Sequence, residues 1–391
     1  MTPRICFVVD SGTDVRLVEG LAERAVVRVL ARTIPGGRAI SQPVRRDVGI
    51  ELGPSGRASF AAFAARRLVA LRGEIDVVLV QGHGPCAALA NTVARAIRRP
   101  ALMLVCSPAE AYYRCRGRAG SSRRFSAVEY HAIRIFSWLN ARVGVGYVVL
   151  SPYLASVVRA GGARASVDVI PVYGVDPAVF HPSVEPRASI RARLNLPQED
   201  AIVFFSSRVA PEKDAEAVLD AVRQLADAGR RIRLLHASGG YRQFKALADA
   251  RGIGTHVIAR DAVAPFADLA DLYRASDVCV QASREEGLGF SPLEALACGV
   301  PVVASAVGGL NDTIRDGDTG WQVPVGDAGA LARAIDAVLG DPGEAARRTA
   351  RGADMVARTY GRDAVFDALI RKCRSLMAAP TPSTSTVELK R

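Results

Sequence analysis

Two glutamates eight positions apart frame a glycine-rich turn in the second half of the chain. Glu286 comes directly before Gly287 and Gly289, and Glu294 follows in a segment that is predicted to be a helix ending at Gly299. Because a short apolar strand precedes the turn, unpaired backbone N–H groups and the positive end of the helix dipole meet there, which stabilises a bound phosphate. Carboxylates repel a phosphate but accept hydrogen bonds from hydroxyl groups. The pattern therefore predicts a ligand with both a sugar and a phosphate part.

The same stretch contains further residues of a known motif. Leu288, Phe290 and Pro292 continue the turn into the helix, and a second strand preceded by Pro301 leads to Gly308-Gly309. With both glutamates at this spacing, the stretch resembles the glutamate signature of the retaining glycosyltransferases of GT-B architecture, in the large bacterial group 1 family. The resemblance implies that the first glutamate contacts the transferred sugar and the second contacts the ribose of the leaving nucleotide. An ordinary strand, turn and helix with two surface glutamates is the alternative.

A basic pair in another loop agrees with this resemblance. The predicted strand 201–205 leads into a loop that contains Arg208 and Lys213. In the resembled family an Arg and a Lys at this spacing cup the donor diphosphate, the Arg as a planar fork and the Lys as a movable point charge. Ser207 stands where the family usually has glycine. The expected catalytic residues are Glu286, Arg208 and Lys213, and the expected donor-binding residues are Gly12, Arg208, Lys213, Glu286, Gly287, Leu288, Gly289, Phe290 and Glu294.

The first half of the chain matches the family less closely. Gly12, in the loop after the first strand, can let the backbone approach the transferred sugar, although relatives have paired glycines there. After the predicted strand 101–105, where many members of the resembled family carry a histidine, this chain reads Cys106-Ser107-Pro108-Ala109-Glu110. His83 and Glu110 are the candidates for its place on the acceptor side, but a lone histidine is more often structural. The resemblance therefore leaves the catalytic base open.

A basic segment at 113–124 has five arginines in twelve positions. We predict a loop there, in which Arg114 and Arg116 can clamp an acceptor phosphate or lie in solvent. Residues 1–178 contain 24 Arg and 12 acidic side chains, whereas the rest of the chain is balanced. This excess suggests an anionic acceptor or an anionic membrane surface, and an arginine-rich solvated face is the alternative. Nucleic acid is not expected, because no aromatic and basic platform or binding motif accompanies the charge.

Strands and helices alternate through both halves of the chain, which predicts α/β lobes with parallel sheets. From the resemblance we expect two Rossmann-like lobes in the GT-B architecture, with an interlobe cleft and a C-terminal helix that returns to the first lobe. The expected parts are an acceptor-binding lobe at 1–175, a nucleotide-sugar-binding lobe at 176–360, a crossover helix at 361–377 and a disordered tail at 378–391.

Composition excludes several classes of protein. The chain has 391 residues, 49% of them hydrophobic, which is more than one typical domain. Its seven cysteines form no Cys-x-x-Cys pair, which indicates reduced core thiols rather than a disulfide frame or a zinc site. No signal-peptide pattern or membrane-length apolar run is present, so we expect a cytoplasmic protein, with peripheral contact at the inner face of a membrane left open. A dinucleotide oxidoreductase is not expected, because the first turn lacks Gly-x-Gly-x-x-Gly.

Together these features predict a retaining glycosyltransferase that moves a hexose-type sugar from a UDP or GDP donor to an acceptor, in glycan, polysaccharide or glycolipid biosynthesis. No metal or other cofactor is expected, because the basic pair and the loop amides can neutralise the leaving diphosphate. In a front-face mechanism the departing phosphate oxygen itself takes the acceptor proton. The alternative is a catalytically degenerate protein that binds a nucleotide sugar without transferring it. Cys106 favours this alternative, and the complete set of two glutamates, Arg208 and Lys213 opposes it.

Overall fold

A computed structural model describes residues 2–41, 44–82, 84–118, 127–143, 146–263 and 266–378. His83 and the predicted tail beyond residue 378 lie outside these ranges. No helix within the described residues is long and apolar enough to cross a bilayer.

The N-terminal domain is built on a parallel sheet that has seven strands in the described residues, in the order β3-β2-β1-β4-β5-β6-β7. Strands β4 and β5 are buried along their whole length, as expected for a parallel sheet covered by helices on both faces. The strands are β1 Arg4–Val9, β2 Val26–Arg32, β3 Gly49–Gly53, β4 Val77–Gln81, β5 Ala101–Val105, β6 Gly146–Val149 and β7 Ser166–Val169. The helices are α1 Val15–Ala22, α2 Arg57–Ala70, α3 Pro85–Ala96, α4 Ala109–Arg118, α5 Ala127–Val143 and α6 Pro152–Ala160.

The C-terminal domain has a second parallel sheet, in which six described strands follow the order β10-β9-β8-β11-β12-β13. These strands are β8 Ala201–Phe205, β9 Ile232–Ala237, β10 Val257–Arg260, β11 Val278–Gln281, β12 Val302–Ser305 and β13 Trp321–Val323. The helices are α7 Arg187–Arg193, α8 Ala215–Asp227, α9 Tyr241–Ala250, α10 Phe266–Arg274, α11 Phe290–Ala297, α12 Leu310–Thr313, α13 Ala328–Gly340 and α14 Pro342–Met355. Short 3₁₀ turns occupy Pro211–Lys213 and Gly254–His256, and a π-helical turn occupies Val356–Tyr360.

The order of the strands in the second sheet determines where the candidate site lies. Strands β8 and β11 are paired although the chain forms β9 and β10 between them, so the direction of winding reverses at this pair. The loops that follow β8 and β11 therefore leave the sheet side by side, at the carboxyl ends of the strands. Open α/β sheets bind their ligands at such a reversal point.

The last helix, α15 Arg362–Ala378, returns to the N-terminal domain and packs on α1. A Cβ atom on Gly20 of α1 would lie 2.2 Å from the ring of Phe366, so the close approach of the two helices requires a glycine. Arg24 contacts Asp363 at 2.5 Å, and Arg362 contacts Glu23 at 2.6 Å. The predicted GT-B architecture, with two parallel α/β domains and a returning C-terminal helix, is confirmed.

One local prediction is wrong, and one strand was not predicted. The loop predicted at 113–124 is wrong over 113–118, because α4 continues to Arg118. Glu110 lies in the first turn of α4, where its charge complements the helix dipole, and arginine is a good helix former. Strand β3 was missed because its sequence, GIELG, has glycine at both ends and one charged residue, which is a poor strand pattern.

Candidate active site

Lys213 and Glu286 meet where the loops after β8 and β11 lie side by side. Lys213 ends the 3₁₀ turn after β8, and its Nζ forms an ion pair with Glu286 Oε2. Asp214, the next residue, has φ +48°, and this left-handed residue redirects the chain into α8. The contact places a cation and a carboxylate from two different loops at one point.

Several donors hold the Glu286 carboxylate. Besides Lys213, Oε2 accepts hydrogen bonds from Gln281 Nε2 at 3.0 Å and Ser283 Oγ at 3.1 Å. Its Oε1 is 3.4 Å from the hydroxyl of Tyr112, which belongs to α4 of the N-terminal domain. Glu286 is only 7% exposed. These contacts fix the orientation of the carboxylate and leave acceptor capacity on Oε1.

The glycines of the motif are required by close backbone contacts. Gly309 donates its N–H to the carbonyl of Glu286 at 3.0 Å. A Cβ on Gly309 would lie 2.2 Å from the carbonyl oxygen of Gly287, and one on Gly308 would lie 2.3 Å from that of Glu286. Gly289 has φ +91° and begins α11. The segment after β12 thus packs directly on the loop that carries Glu286.

The N-terminal domain packs on the other side of this loop. Ser151 Oγ donates a hydrogen bond to the carbonyl of Gly287 at 2.6 Å, and a Cβ on Gly287 would lie 3.0 Å from the carbonyl oxygen of Cys106. Cys106 is therefore close to the glutamate loop. Burial raises the pKa of the Cys106 thiol to about 11, so it keeps its proton at neutral pH.

Arg208 is held by a buried carboxylate. Glu212 Oε1 accepts hydrogen bonds from Arg208 Nη2 at 2.6 Å and from Arg116 Nη2 at 2.8 Å, and the Glu212 side chain is fully buried. Burial acts to raise the pKa of Glu212, but the hydrogen bond from Arg116, the backbone and Arg208 outweigh it, so the pKa lies below its usual value. The Arg208 side chain is 54% exposed and can still reach a ligand. Arg116, predicted on the acceptor side, contacts Glu212 and so brings a third cation from the N-terminal domain to the loop after β8.

Glu294 has a separate set of partners. Its Oε1 accepts a hydrogen bond from Arg16 Nη1 of α1 at 2.7 Å, and its Oε2 accepts one from the hydroxyl of Tyr273 at 3.0 Å. The carboxylate is buried. Burial raises its pKa, and the charge of Arg16 opposes this rise. The second glutamate is therefore bound by both domains.

Comparison with known proteins agrees with this geometry. The family model described as Glycosyl transferases group 1 matches residues 186–355, which span β8, β11 and both loops of the site. The chain carries a group 1 glycosyltransferase domain. The group 1 domain inferred from the motif is thereby confirmed over residues 186–355, whereas retention and the donor are still predictions.

Curated relatives of this glycosyltransferase domain share its sequence over part of the chain. The D-inositol 3-phosphate glycosyltransferase of Xylanimonas cellulosilytica is 36% identical over 222 residues, which cover 55% of this chain and 52% of that protein. The protein of the same name from Mycobacterium bovis is 36% identical over 224 residues, which cover 53% of this chain and 46% of that protein. The chain therefore spans about half the length of the curated relatives it matches.

Solved structures resemble the whole chain in fold. Sucrose-phosphate synthase from Thermosynechococcus elongatus has a TM-score of 0.78 at 23% identity, covering 97% of this chain and 100% of that one. HepE from Anabaena, solved in complex with UDP-glucose, has a TM-score of 0.75 at 17% identity, covering 95% of this chain and 100% of that one. At these identities the likeness shows the fold.

The other residues predicted for the site have structural contacts or lie at the surface. Gly12 has φ +85°, and its carbonyl accepts a hydrogen bond from Gln81 Nε2 at 3.4 Å, so glycine is needed there for the turn. Leu288 is buried in the core, and Phe290 packs edge-on against Tyr173 at 5.2 Å. Arg114 is exposed and Glu110 is half-buried, both on α4. His83 lies outside the described residues.

Sequence reasoning missed most of the partners that hold the glutamates. Gln281 and Ser283 could have been found, because polar side chains at the carboxyl end of a buried strand indicate a site in an open α/β sheet. Arg16 and Tyr112 lie on helices of the other domain and have no motif of their own. Their role depends on how the domains close, which the local sequence does not specify.

Proposed function

We propose that this protein is a retaining glycosyltransferase that moves a hexose-type sugar from a nucleoside-diphosphate donor to an acceptor held by the N-terminal domain. The observation that carries the proposal is the Lys213 and Glu286 ion pair beside the start of α11, with Arg208 on the same loop as Lys213. This point combines cations for a diphosphate with a carboxylate for sugar hydroxyls. It lies at the reversal point of a parallel sheet, where such ligands bind.

The ion pairs of the free protein suggest how the donor binds. Arg208 is bound to Glu212 and Lys213 to Glu286, so both cations are already held close to where the diphosphate would lie. A diphosphate carries more charge than one carboxylate and draws both cations toward it, which frees Glu286 to accept a hydroxyl of the transferred sugar. Because negative charge grows on the leaving phosphate in the transition state, preorganised cations lower the barrier.

A front-face reaction fits the N-terminal side of the cleft. The C–O bond to the leaving diphosphate breaks, the acceptor oxygen bonds to the anomeric carbon from the same face, and the acceptor proton passes to the phosphate oxygen. No protein base is then needed. Cys106, which lies beside the glutamate loop, is a half-buried thiol that keeps its proton at neutral pH, which supports this route. We expect the reaction to be independent of metal, and this is still a prediction.

The acceptor is proposed to carry a phosphate. Arg114 on α4 is exposed, and Arg116 of the same helix contacts Glu212 in the loop after β8. Helix α4 therefore brings positive charge to the cleft. Two relatives are named for D-inositol 3-phosphate, which is a phosphorylated acceptor. A free polyol phosphate and a lipid-linked phosphate both satisfy this chemistry. A cytoplasmic location with peripheral membrane contact, and a role in glycan or glycolipid biosynthesis, are still predictions.

The test is to screen UDP- and GDP-sugars for thermal stabilisation of the purified protein, because a ligand that binds only the folded state raises its stability. UDP-glucose comes first, because HepE was solved with it. The stabilising donor is then incubated with inositol phosphate and other phosphorylated acceptors. We expect nucleoside diphosphate release and a product with the donor's anomeric configuration by NMR.

Two other results would contradict the proposal. Stabilisation by a nucleotide sugar without release of the diphosphate, across the acceptor panel and in water, would favour the catalytically degenerate alternative. An inverted product would contradict the front-face reaction while leaving the transferase itself in place.

A further inference from the structure

Arg16 is a nearly buried cation at the junction of the two domains. It lies in the first turn of α1, and its side chain is 16% exposed. Its guanidinium carbon is 4.8 Å from the ring centre of Phe266, 5.5 Å from that of Phe290 and 5.9 Å from that of Tyr173. Three aromatic rings thus surround the guanidinium, and two of them belong to the C-terminal domain.

The hydrogen bonds of Arg16 fix its direction. Its Nε and Nη2 donate to Asp14 at 3.1 and 2.9 Å, while Nη1 donates across the domain boundary to Glu294 Oε1 at 2.7 Å. Asp14 also caps α1, accepting the backbone N–H of Arg16 at 2.9 Å. A guanidinium held by a neighbouring carboxylate and by aromatic rings keeps one fixed geometry, so Nη1 is aimed at Glu294.

The surroundings of Glu294 show what this contact does. Tyr273 on α10 donates to Oε2, Cys279 lies near on β11, and both of these groups are uncharged at neutral pH. Asp14, beside Arg16, carries a like charge and opposes ionisation of Glu294. Arg16 is therefore the cation in contact with this buried carboxylate in the described structure.

Glu294 retains capacity to bind a ligand while Arg16 is in place. An ionised carboxylate has about four acceptor positions. Arg16 and Tyr273 use one on each oxygen, which leaves one on each oxygen for a pair of neighbouring hydroxyls. A protonated carboxyl would lose part of this capacity and add a donor.

Space for a ligand lies next to the pair. A cavity of about 370 Å³ opens between the domains, and its walls include Arg16 and Glu19 of α1, Tyr173, and Phe266 of α10. Glu23, Asp176 and Arg362 also line it and are the other charged groups facing this space. Arg16 thus lines an interdomain cavity and also contacts the buried Glu294, so a molecule in this cavity would lie beside the residue that holds Glu294.

We propose that Arg16 is a positioning residue for the nucleoside end of the donor. It acts through Glu294, whose carboxylate it pairs with and orients to accept the two ribose hydroxyls, so that residues of both domains form the ribose site. This inference rests on the proposed function, because it takes the ligand to be a nucleoside diphosphate.

The experiment measures UDP and GDP affinity by calorimetry at several pH values between 6 and 9. It compares the wild type with Arg16→Met, Arg16→Lys, Glu294→Gln and the double variant Arg16→Met/Glu294→Gln. The matched control is Arg24→Met, which removes another arginine near α1 that forms ion pairs with α15, away from the cleft.

We expect Arg16→Met to weaken nucleotide binding about tenfold at pH 7, because a hydrogen-bonded charge is lost from the site. Affinity should recover partly as the pH rises, since Glu294 then ionises without its partner. Arg16→Lys should restore most of the affinity, and Arg24→Met should match the wild type. In the Glu294→Gln background, the Arg16→Met change should weaken binding by less than about twofold, because the two residues act as one unit.

Wild-type affinity in Arg16→Met across the whole pH range would overturn the proposal, as would full additivity of the two single changes. Failure of the wild type to bind either nucleotide would overturn the proposed function instead.

Thermal unfolding tests the Arg16 and Glu294 interaction without any ligand, so its result does not depend on the proposed function. An unpaired buried Glu294 has a pKa above its unfolded value, so its cost to stability appears as the pH rises. Arg16→Met should therefore unfold at a lower temperature than the double variant at pH 8, and at the same temperature at pH 5. A difference that does not change with pH would contradict the claim that Arg16 keeps Glu294 ionised.

Discussion

The two domains contribute to the site in different ways. In the C-terminal domain, two loops after neighbouring strands bring Arg208, Lys213 and Glu286 together, and each of these residues belongs to a recognisable local motif. In the N-terminal domain, Arg16 and Arg116 reach across the boundary from two separate helices. The C-terminal domain can assemble its part locally, whereas the N-terminal part exists only when the domains are closed.

The two domains also differ in where their cations find carboxylate partners. The cations of the C-terminal motif are balanced by carboxylates of the same domain, Glu212 and Glu286. The N-terminal half carries the excess of arginine, and two of these arginines contact buried carboxylates of the other domain. Part of the excess therefore serves the domain interface rather than a solvated surface.

The largest effect is expected from the C-terminal motif itself. Lys213→Met should lower turnover by about 10²–10³-fold, because it removes a cation that we propose stabilises the leaving phosphate. It also leaves Glu286, which is nearly buried, without its ion-pair partner. The measurement is nucleoside diphosphate release at saturating donor. Lys245→Met on α9, which removes an exposed pair with Asp249, is the control and should be silent. Turnover within about threefold of the wild type in Lys213→Met would place the diphosphate elsewhere.

The two glutamates should differ, since the ion-pair partner of Glu286 is Lys213 of its own domain, whereas that of Glu294 is Arg16 of the other domain. Glu286→Gln should lower turnover by about tenfold or more and blur discrimination between donor sugars, with free UDP affinity unchanged. Glu294→Gln should weaken free UDP and the intact donor by similar factors of about tenfold, because both carry the ribose. Calorimetric titration of each variant with both ligands decides this. Equal loss of UDP affinity in the two variants would remove the proposed division of roles.

A smaller effect is expected from Arg116, the N-terminal arginine that contacts Glu212 in the loop after β8. Arg116→Met leaves the buried Glu212 with Arg208 as its cation, which draws Arg208 away from the ligand. We expect the donor KM to rise by a factor of about three to ten, with little change in folding. Arg95→Met, on the exposed side of α3, is the matched arginine control. If both variants have the wild-type KM, the diphosphate site is formed by the C-terminal domain alone.

The smallest effect is a pH dependence of stability. The pKa of Glu212 lies below its usual value, so its contribution to stability is present above the unfolded pKa of about 4.5 and is lost as the pH falls through the folded pKa. Glu212→Gln should therefore lose less stability than the wild type when the pH is lowered from 6 to 4. Glu216→Gln, an exposed change on α8, should follow the wild type. Thermal unfolding at both pH values measures the difference, and parallel losses in all three proteins would contradict the shift.

The contrast between domains also explains how much the sequence could predict. The alternation of strands and helices predicted both sheets, and the motif predicted that Lys213 and Glu286 would share a site, which the structure brings into contact. The group 1 domain inferred from that motif is confirmed over residues 186–355. These features depend on residues close in sequence or on neighbouring parallel strands, so local sequence patterns are enough to predict them.

Features that depend on closure of the domains were not predictable in this way. Arg116 was assigned to a loop on the acceptor side, but α4 extends through it and turns it toward Glu212. Arg16 was not noticed, because an arginine near a helix start has no distinctive pattern, and Glu294 is 278 positions away in sequence. Such contacts arise from the relative placement of two folded units, which no local propensity specifies.

The most direct test of the account is a crystal structure of the protein with UDP bound. We predict that the diphosphate contacts both Arg208 and Lys213 near the start of α11, that the ribose hydroxyls contact Glu294, and that Arg16 still contacts Glu294 from the N-terminal domain. A diphosphate bound away from the β8 and β11 loops, with Lys213 still paired to Glu286, would contradict the assignment of this site.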